Sequence, residues 1–220
     1  PMIITRTPFR ISFFGGGTDY PAWCDANGGA VISTTIDKYC WISCRRLPPF
    51  FDHKSRIIYS HIETVKEIEE IKHPAVRECL RFLDFREGLE IHHDGDLPAR
   101  TGLGSSSSFT VGLLLALRSL QGKMISKREL ASEAIYVEQN MIRENVGAQD
   151  QVAAAFGGIN CIEFGPGGKF KVQPLPLPAR RLERLQSCLM LFFTGMSRIA
   201  SDVAADQIRG VSRVLQPAIW

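Results

Sequence analysis

The stretch from residue 97 to residue 108, Leu-Pro-Ala-Arg-Thr-Gly-Leu-Gly-Ser-Ser-Ser-Ser, constrains this 220-residue chain more than any other segment. A strand-like run (89–92) precedes it, and an apolar helical run (109–120) follows it. The two glycines allow a tight turn and a close approach of the backbone to a ligand. Serines that open a helix place backbone N–H groups at the positive end of its dipole. The stretch therefore predicts an anion site, and polyphosphate is the expected anion.

Three other kinds of segment resemble this loop: a plain turn before a helix and two better-known phosphate-binding loops. An isolated Gly-Leu-Gly-Ser is most simply a turn followed by an N-cap. The phosphate loop that ends in Gly-Lys-Ser or Gly-Lys-Thr is absent, because Ser105 follows Gly104 and no lysine is near. The dinucleotide-binding fingerprint requires Gly or Ala where this chain has Ser107. The loop therefore belongs to neither of those two folds.

Composition is that of a globular enzyme. Hydrophobic residues make up 45% and charged residues 22% of the chain, and the net charge of +3 implies neither a nucleic-acid nor a membrane partner. No apolar run reaches transmembrane length, and the first residues do not resemble a signal peptide. The six cysteines show no zinc-binding spacing. These features predict a reduced, cytoplasmic protein.

Strand patterns dominate residues 1–100 and helix patterns the next fifty, which predicts an α+β fold. Expected strands include 2–7, 11–14, 30–36 and 39–44, and an expected helix runs from 127 to about 143. The proline-rich segment 174–178 suggests a boundary between a domain at 1–180 and a second one beginning in 181–220. In that second domain we expect a buried strand at 187–193 and a helix at 197–208.

Two acidic residues stand out after the loop. Glu138 falls within the apolar stripe of the expected helix, where a carboxylate is costly unless it reaches water or meets a cation. Asp150 precedes a short helix and would by default cap it. Phosphoryl transfer needs anion donors, a divalent metal and a group that orients the attacking hydroxyl. A loop serine with Glu138 would suit Mg²⁺, Asp150 would act on the hydroxyl beside Arg10, and Asp19 would accept hydrogen bonds from a sugar.

Three segments together resemble a known family. Residues 6–10 with 15–20, residues 98–108 and residues 147–151 are similar, in that order, to motifs of the GHMP kinases. The resemblance covers residues 1 to about 208. It implies an N-terminal domain like ribosomal protein S5 domain 2, followed by a C-terminal α+β domain that is incomplete here.

The resemblance also implies site roles. ATP phosphates would be bound by Gly102, Leu103, Gly104, Ser105, Ser106, Ser107 and Ser108. Mg²⁺ would be bound by Ser105 or Ser106 with Glu138, Asp150 would be the catalytic base with Arg10 beside it, and the sugar would be bound by Gly17, Thr18 and Asp19.

The triple glycine at 15–17, where galactokinases have Gly-Glu-His, opens the sugar site. With residues 36–39 and 193–198 it resembles the branch that phosphorylates D-glycero-D-manno-heptose 7-phosphate. The implied reaction transfers the γ-phosphoryl group of Mg-ATP to the anomeric hydroxyl of that sugar phosphate, and another sugar such as fucose stays open. Arg100 and Arg198 would face the substrate phosphate, unless each is an ordinary surface charge.

The family's third, glycine-rich motif has no counterpart in residues 181–220, and residues 209–220 lose the helical pattern. We therefore expect a truncated or frame-shifted gene product, or a deliberately shortened chain. Catalysis without the closing domain is one alternative, and a catalytically impaired nucleotide-binding fragment is the other. An exposed apolar strand edge leaves a homodimer or aggregation open.

Overall fold

The computed structural model describes residues 1–98 and 101–192. Its seven strands are β1 (Met2–Phe14), β2 (Gly29–Arg46), β3 (Ser55–Ile58), β4 (Ile62–Val65), β5 (Leu89–Gly95), β6 (Ile159–Gly165) and β7 (Lys169–Pro174). Its α-helices are α1 (Pro21–Asn27), α2 (Pro74–Phe82), α3 (Ser105–Leu120), α4 (Lys127–Tyr136), α5 (Gln149–Phe156) and α6 (Ala179–Ser187).

All seven strands form one mixed sheet built around the 18-residue β2. The order is β4-β3-β5-β2-β6-β7, and β1 pairs with β2. Residues 40–46 of β2 pair with β5, residues 29–34 pair with β6, and only β3 and β5 run parallel. The predicted α+β fold is confirmed. The expected strands 2–7 and 11–14 form the single strand β1, and the expected strands 30–36 and 39–44 form the single strand β2.

The continuity of β1 has a physical reason. β1 pairs with β2 alone among the described strands, and at a sheet edge the missing N–H of Pro8 costs no ladder hydrogen bond. A register shift between Pro8 and Arg10 absorbs the local irregularity. The strand therefore continues to Phe14 and carries Arg10 to the site described below.

Helix α3 lies against β1 and β2 and supplies much of the core, including Leu113, Leu114 and Leu117. Its contact with the sheet is close at Gly112, where a Cβ would lie 2.7 Å from the Thr7 hydroxyl oxygen. The Thr5 hydroxyl donates to the Gly112 carbonyl at 3.0 Å. This contact sets the depth of α3, and therefore the position of its N-terminus, against the sheet.

Other expectations differ from the structure. The helix expected over 127–143 ends as α4 at Tyr136 and continues as a π-helical turn, Val137–Ile142. The buried strand expected at 187–193 is not found in the described residues. Ser187 ends α6, and residues 188–192 are exposed and form no strand, because no described strand pairs with them. The expected helix 197–208 lies outside the described residues, and the domain division at 180 stays a prediction. No helix in the described part of the chain is long and apolar enough to cross a membrane.

Candidate active site

The predicted anion loop closes onto β1 and α5. Gly102 and Gly104 have φ values of 75° and 76°, which favour glycine. A Cβ at Gly104 would also lie 3.2 Å from Arg10 Cγ and 3.4 Å from Asp150 Oδ2, so little room exists for a side chain. The Arg10 N–H donates to the Leu103 carbonyl at 3.0 Å. The loop is therefore held directly against the two residues predicted to be catalytic.

The four consecutive serines of this loop differ in their surroundings. Ser108 is buried and donates to the Pro8 carbonyl at 2.8 Å, which ties α3 to β1. Ser107 is buried and donates to Glu138 at 2.8 Å. Ser105 and Ser106 lie on the more accessible side of the turn. The N-cap residue of α3 is Gly104, which has no side chain to cap the helix, as suits a helix end that binds an anion.

Arg10 links the loop to the candidate base. Its Nε donates to Asp150 Oδ1 at 2.6 Å and its Nη2 to Asp150 Oδ2 at 2.9 Å. Its Nη1 donates to the Gly102 carbonyl at 2.8 Å. This two-point ion pair is partly shielded, because 13% of the Arg10 side chain and 25% of the Asp150 side chain are exposed. The pair fixes the orientation of the Asp150 carboxylate.

Glu138 is buried, as its place in the apolar stripe suggested, with 1% of its surface exposed. It lies on the π-helical turn, which ends at Arg143 in the left-handed region (φ 63°). The Ser107 hydroxyl and the Gln151 amide, at 2.5 Å, both donate to its Oε2. Its Oε1 has no hydrogen-bond partner among the described residues.

The environment of Glu138 is suited to a cation. Burial raises the pKa of Glu138 to about 7, although neighbouring hydroxyl and amide donors oppose the rise. Within residues 1–98 and 101–192 no cationic side chain forms an ion pair with it. A buried carboxylate oxygen without a partner, near serine hydroxyls at a phosphate loop, fits Mg²⁺, which is commonly held by one or two carboxylates together with substrate phosphates.

Asp19 lies beside the glycine-rich turn at 15–17, where the sugar ligands were predicted. It is 1% exposed and accepts hydrogen bonds from the Gln149 N–H (3.0 Å), the Gln149 amide (3.3 Å) and the Gly17 N–H (3.1 Å). Burial raises the pKa of Asp19, while these backbone donors oppose the rise. A Cβ at Gly147 would lie 1.8 Å from Asp19 Oδ2, so only glycine fits there. Asp19 therefore joins the glycine-rich turn to the segment that precedes Asp150.

Of the other predicted sugar ligands, Gly17 has a φ of 95° and open space where a Cβ would be. The Thr18 hydroxyl donates to the Gly15 carbonyl at 2.7 Å and accepts from the Ala30 N–H at 3.1 Å, which shapes the turn. Arg100 and Arg198 lie outside the described residues.

Three consecutive residues on α5 therefore connect the whole site. Gln149 contacts Asp19, Asp150 contacts Arg10, and Gln151 contacts Glu138. Sequence reasoning missed both glutamines and the bond from Ser107 to Glu138. Their signal was the placement of Gln149 and Gln151 on either side of Asp150, which puts three polar side chains on the first turn of one helix.

A helix with a glycine N-cap behind a glycine-rich loop, with a paired aspartate and a buried glutamate beside it, is the arrangement expected of a phosphate-binding α+β domain. Residues 64–158 match the family model described as GHMP kinases N terminal domain. The chain is 30% identical over 212 residues to D-glycero-alpha-D-manno-heptose 7-phosphate kinase of Campylobacter jejuni, covering 91% of this chain and 62% of that protein. It is 27% identical over 219 residues to the galactokinase of Thermococcus kodakarensis, covering 96% and 59%.

The fold agrees with these sequence relationships. The structure of a D-glycero-D-manno-heptose 1-phosphate kinase from Bacteroides thetaiotaomicron is similar with a TM-score of 0.76 at 24% identity, over 85% of this chain and 64% of that one. The chain thus spans about three fifths of the length of these relatives. The predicted GHMP kinase fold is confirmed, and the resemblance to GHMP kinases is borne out by the match of residues 64–158 and by these relatives.

Proposed function

We propose that this protein is an ATP-dependent sugar kinase that binds Mg-ATP at residues 102–108 and phosphorylates a sugar phosphate. The observation that carries the proposal is the Asp150 carboxylate, held by Arg10 and lying against Gly104 of the phosphate loop. The acceptor hydroxyl would bind between Asp150 and the γ-phosphate. This arrangement would bring the two reacting groups together at a helix N-terminus, where developing negative charge is stabilised.

The chemistry then follows from the positions of the residues. Asp150 accepts the proton of the acceptor hydroxyl while the new O–P bond forms and the bond to the leaving ADP breaks. Because the transition state of phosphoryl transfer is loose, orienting the hydroxyl matters more than early proton removal, and the Arg10 pair provides that orientation. Mg²⁺, when bound, would neutralise charge on the phosphates, and Glu138 with a loop hydroxyl (Ser105, Ser106 or Ser107) would hold it.

For the acceptor we propose D-glycero-D-manno-heptose 7-phosphate, phosphorylated at its anomeric hydroxyl. Support comes from Gly17, which has open space where a Cβ would lie, and from the similarity to a heptose 7-phosphate kinase. Asp19, Thr18 and Gly17 would contact the sugar, and Arg100 and Arg198 its phosphate. Fucose is the alternative acceptor, since a fucokinase of Arabidopsis thaliana is also a relative at 26% identity.

The decisive assay measures ADP release by the full chain with Mg-ATP and a panel of sugars that includes heptose 7-phosphate, fucose and galactose. Asp150→Asn keeps the size of the side chain but removes the base, and we expect kcat to fall about 10²- to 10⁴-fold with ATP affinity retained. Asp84→Asn, in an exposed pair with Arg86, is the matched control. Unchanged turnover in Asp150→Asn would overturn the role of Asp150. ATP binding without turnover of any sugar would indicate a nucleotide-binding fragment instead.

A further inference from the structure

Gln151 is fully buried and follows the candidate base directly on α5. Its amide donates to Glu138 Oε2, and its own Oε1 has no hydrogen-bond partner among residues 1–98 and 101–192. Burying a primary amide with one of its groups unpaired costs free energy. A leucine or methionine would fill the same space without that cost, so core packing alone does not account for a glutamine here.

The two oxygens of Glu138 are used differently. Ser107 and Gln151 both donate to Oε2, the Thr110 hydroxyl also lowers the pKa of this carboxyl as a nearby donor, and within the described residues Oε1 accepts no hydrogen bond of ordinary length and angle. We infer that Gln151 is a positioning residue, which occupies Oε2 of Glu138 and thereby presents Oε1 to the Mg²⁺ that accompanies the nucleotide. The inference rests on the proposed function, because it assigns a metal-binding role to Glu138.

A glutamine is well suited to this role. Its amide is a neutral donor, so it fixes the rotamer of Glu138 without neutralising the charge that attracts a cation. An arginine or lysine at the same place would compete with the metal for the carboxylate. Because Gln151 and Asp150 are neighbours on one helical turn, the same turn orients the candidate metal ligand and the candidate base.

The test uses Mn²⁺ as the probe, with its affinity for the complex of the full chain with ADP measured by electron paramagnetic resonance. Gln151→Met removes the amide and keeps the length, and we expect Mn²⁺ affinity to fall about tenfold, in the range typical for residues that orient metal ligands. Gln121→Met is the matched control, since Gln121 also donates one bond, to the Leu83 carbonyl at 3.2 Å, and has a buried unpaired oxygen. Its Mn²⁺ affinity should stay at the wild-type value.

A double-mutant cycle separates positioning from packing. In the Glu138→Gln background, Gln151→Met should weaken Mn²⁺ binding no further, because the carboxylate it orients is gone. Gln151→Asn, one methylene shorter, should reproduce the loss if Gln151→Met does not fold. Wild-type Mn²⁺ affinity in a folded Gln151 variant, or equal losses in both backgrounds, would overturn the inference alone. Absence of Mn²⁺-dependent ADP binding in the wild type would overturn both the inference and the proposed function.

Discussion

Two buried carboxylates in this protein have opposite surroundings. Glu90, on β5, is 2% exposed and forms ion pairs with Arg45 and Arg56 and a hydrogen bond with His92. Glu138 is 1% exposed and accepts hydrogen bonds only from neutral donors among the described residues. Both side chains lost water on folding, but within residues 1–98 and 101–192 only Glu90 gained cationic partners.

The pKa values reflect this difference. Burial alone would raise the pKa of Glu90, but the bonds from Arg56, His92 and Arg45 outweigh it and lower the pKa to about 2. Burial dominates at Glu138 and raises its pKa to about 7. Glu90 therefore joins strands β2, β3 and β5 through its ion pairs, whereas Glu138 has no cationic partner among the described residues. A buried acid proposed to bind a cation therefore differs in charge environment from one that stabilises a sheet.

The largest expected effect comes from Glu138→Gln, which removes the proposed metal ligand. We expect kcat/KM with Mg-ATP to fall on the order of a thousandfold, because metal stabilisation of the transferring phosphate contributes several kcal/mol. In the absence of metal the variant should be at least as stable as the wild type at pH 8, because a buried unpaired charge is gone. Steady-state kinetics and urea denaturation in EDTA measure the two effects. A variant with wild-type kinetics would remove Glu138 from the site.

Glu90→Gln should lower stability and leave nucleotide binding unchanged, which is the reverse of the effects expected for Glu138→Gln. The substitution leaves two arginines without their partner, but Arg45 and Arg56 are partly exposed and regain water, so we expect the free energy of unfolding to fall by about 2–3 kcal/mol, less than for a fully buried pair. ATP affinity and Mg²⁺ dependence should not change in the folded variant, because Glu90 does not contact the phosphate loop. Chemical denaturation and nucleotide titration of the same preparation test this. Weakened Mg²⁺ binding would show that the two carboxylates are not independent.

The smallest expected effect is on the pH dependence of stability in EDTA. The pKa of Glu138 rises from 4.5 to about 7 on folding, so its contribution to stability is complete below pH 4.5 and is lost as pH rises towards 7. The whole change is at most about 3 kcal/mol. The pKa of Glu90 falls, so its contribution is present above pH 4.5 and is lost as pH falls towards 2. Comparing the wild type with each Gln variant across pH 2–8 isolates the two contributions. Parallel curves for Glu138→Gln and wild type would contradict the first.

The sequence was sufficient for the fold class and for the residues near the loop. Gly102, Gly104 and Asp150 could be recognised because their chemistry depends on local spacing that a sequence displays. Glu138 could be recognised because a carboxylate within an apolar stripe is conspicuous. We expected these groups to converge, and the contacts of Arg10 with Gly102 and Asp150 place them together.

Other features depended on packing that no local pattern shows. The four loop serines are equivalent in the sequence, and only the depth of α3 against the sheet buries Ser107 beside Glu138. The π-helical turn was missed because its residues have ordinary helical patterning, and the changed hydrogen-bond register arises from the structure around it. The polar residues Asp37 and Lys38 suggested a break in β2, yet the strand continues there while its pairing changes from β6 to β5.

The long strand β2 also determines how late in synthesis the sheet can be completed. Its first half pairs with β6, whose residues lie about 130 positions further along the chain. At typical translation rates of about 5–20 residues per second, roughly ten seconds pass before that partner leaves the ribosome. Until then the edge of residues 29–34 has no β6 to pair with. Helix α5, which precedes β6, is itself made only at the end of that interval. A nascent chain therefore carries an open β-edge until β6 emerges, and the candidate site is assembled at nearly the moment that the edge is covered.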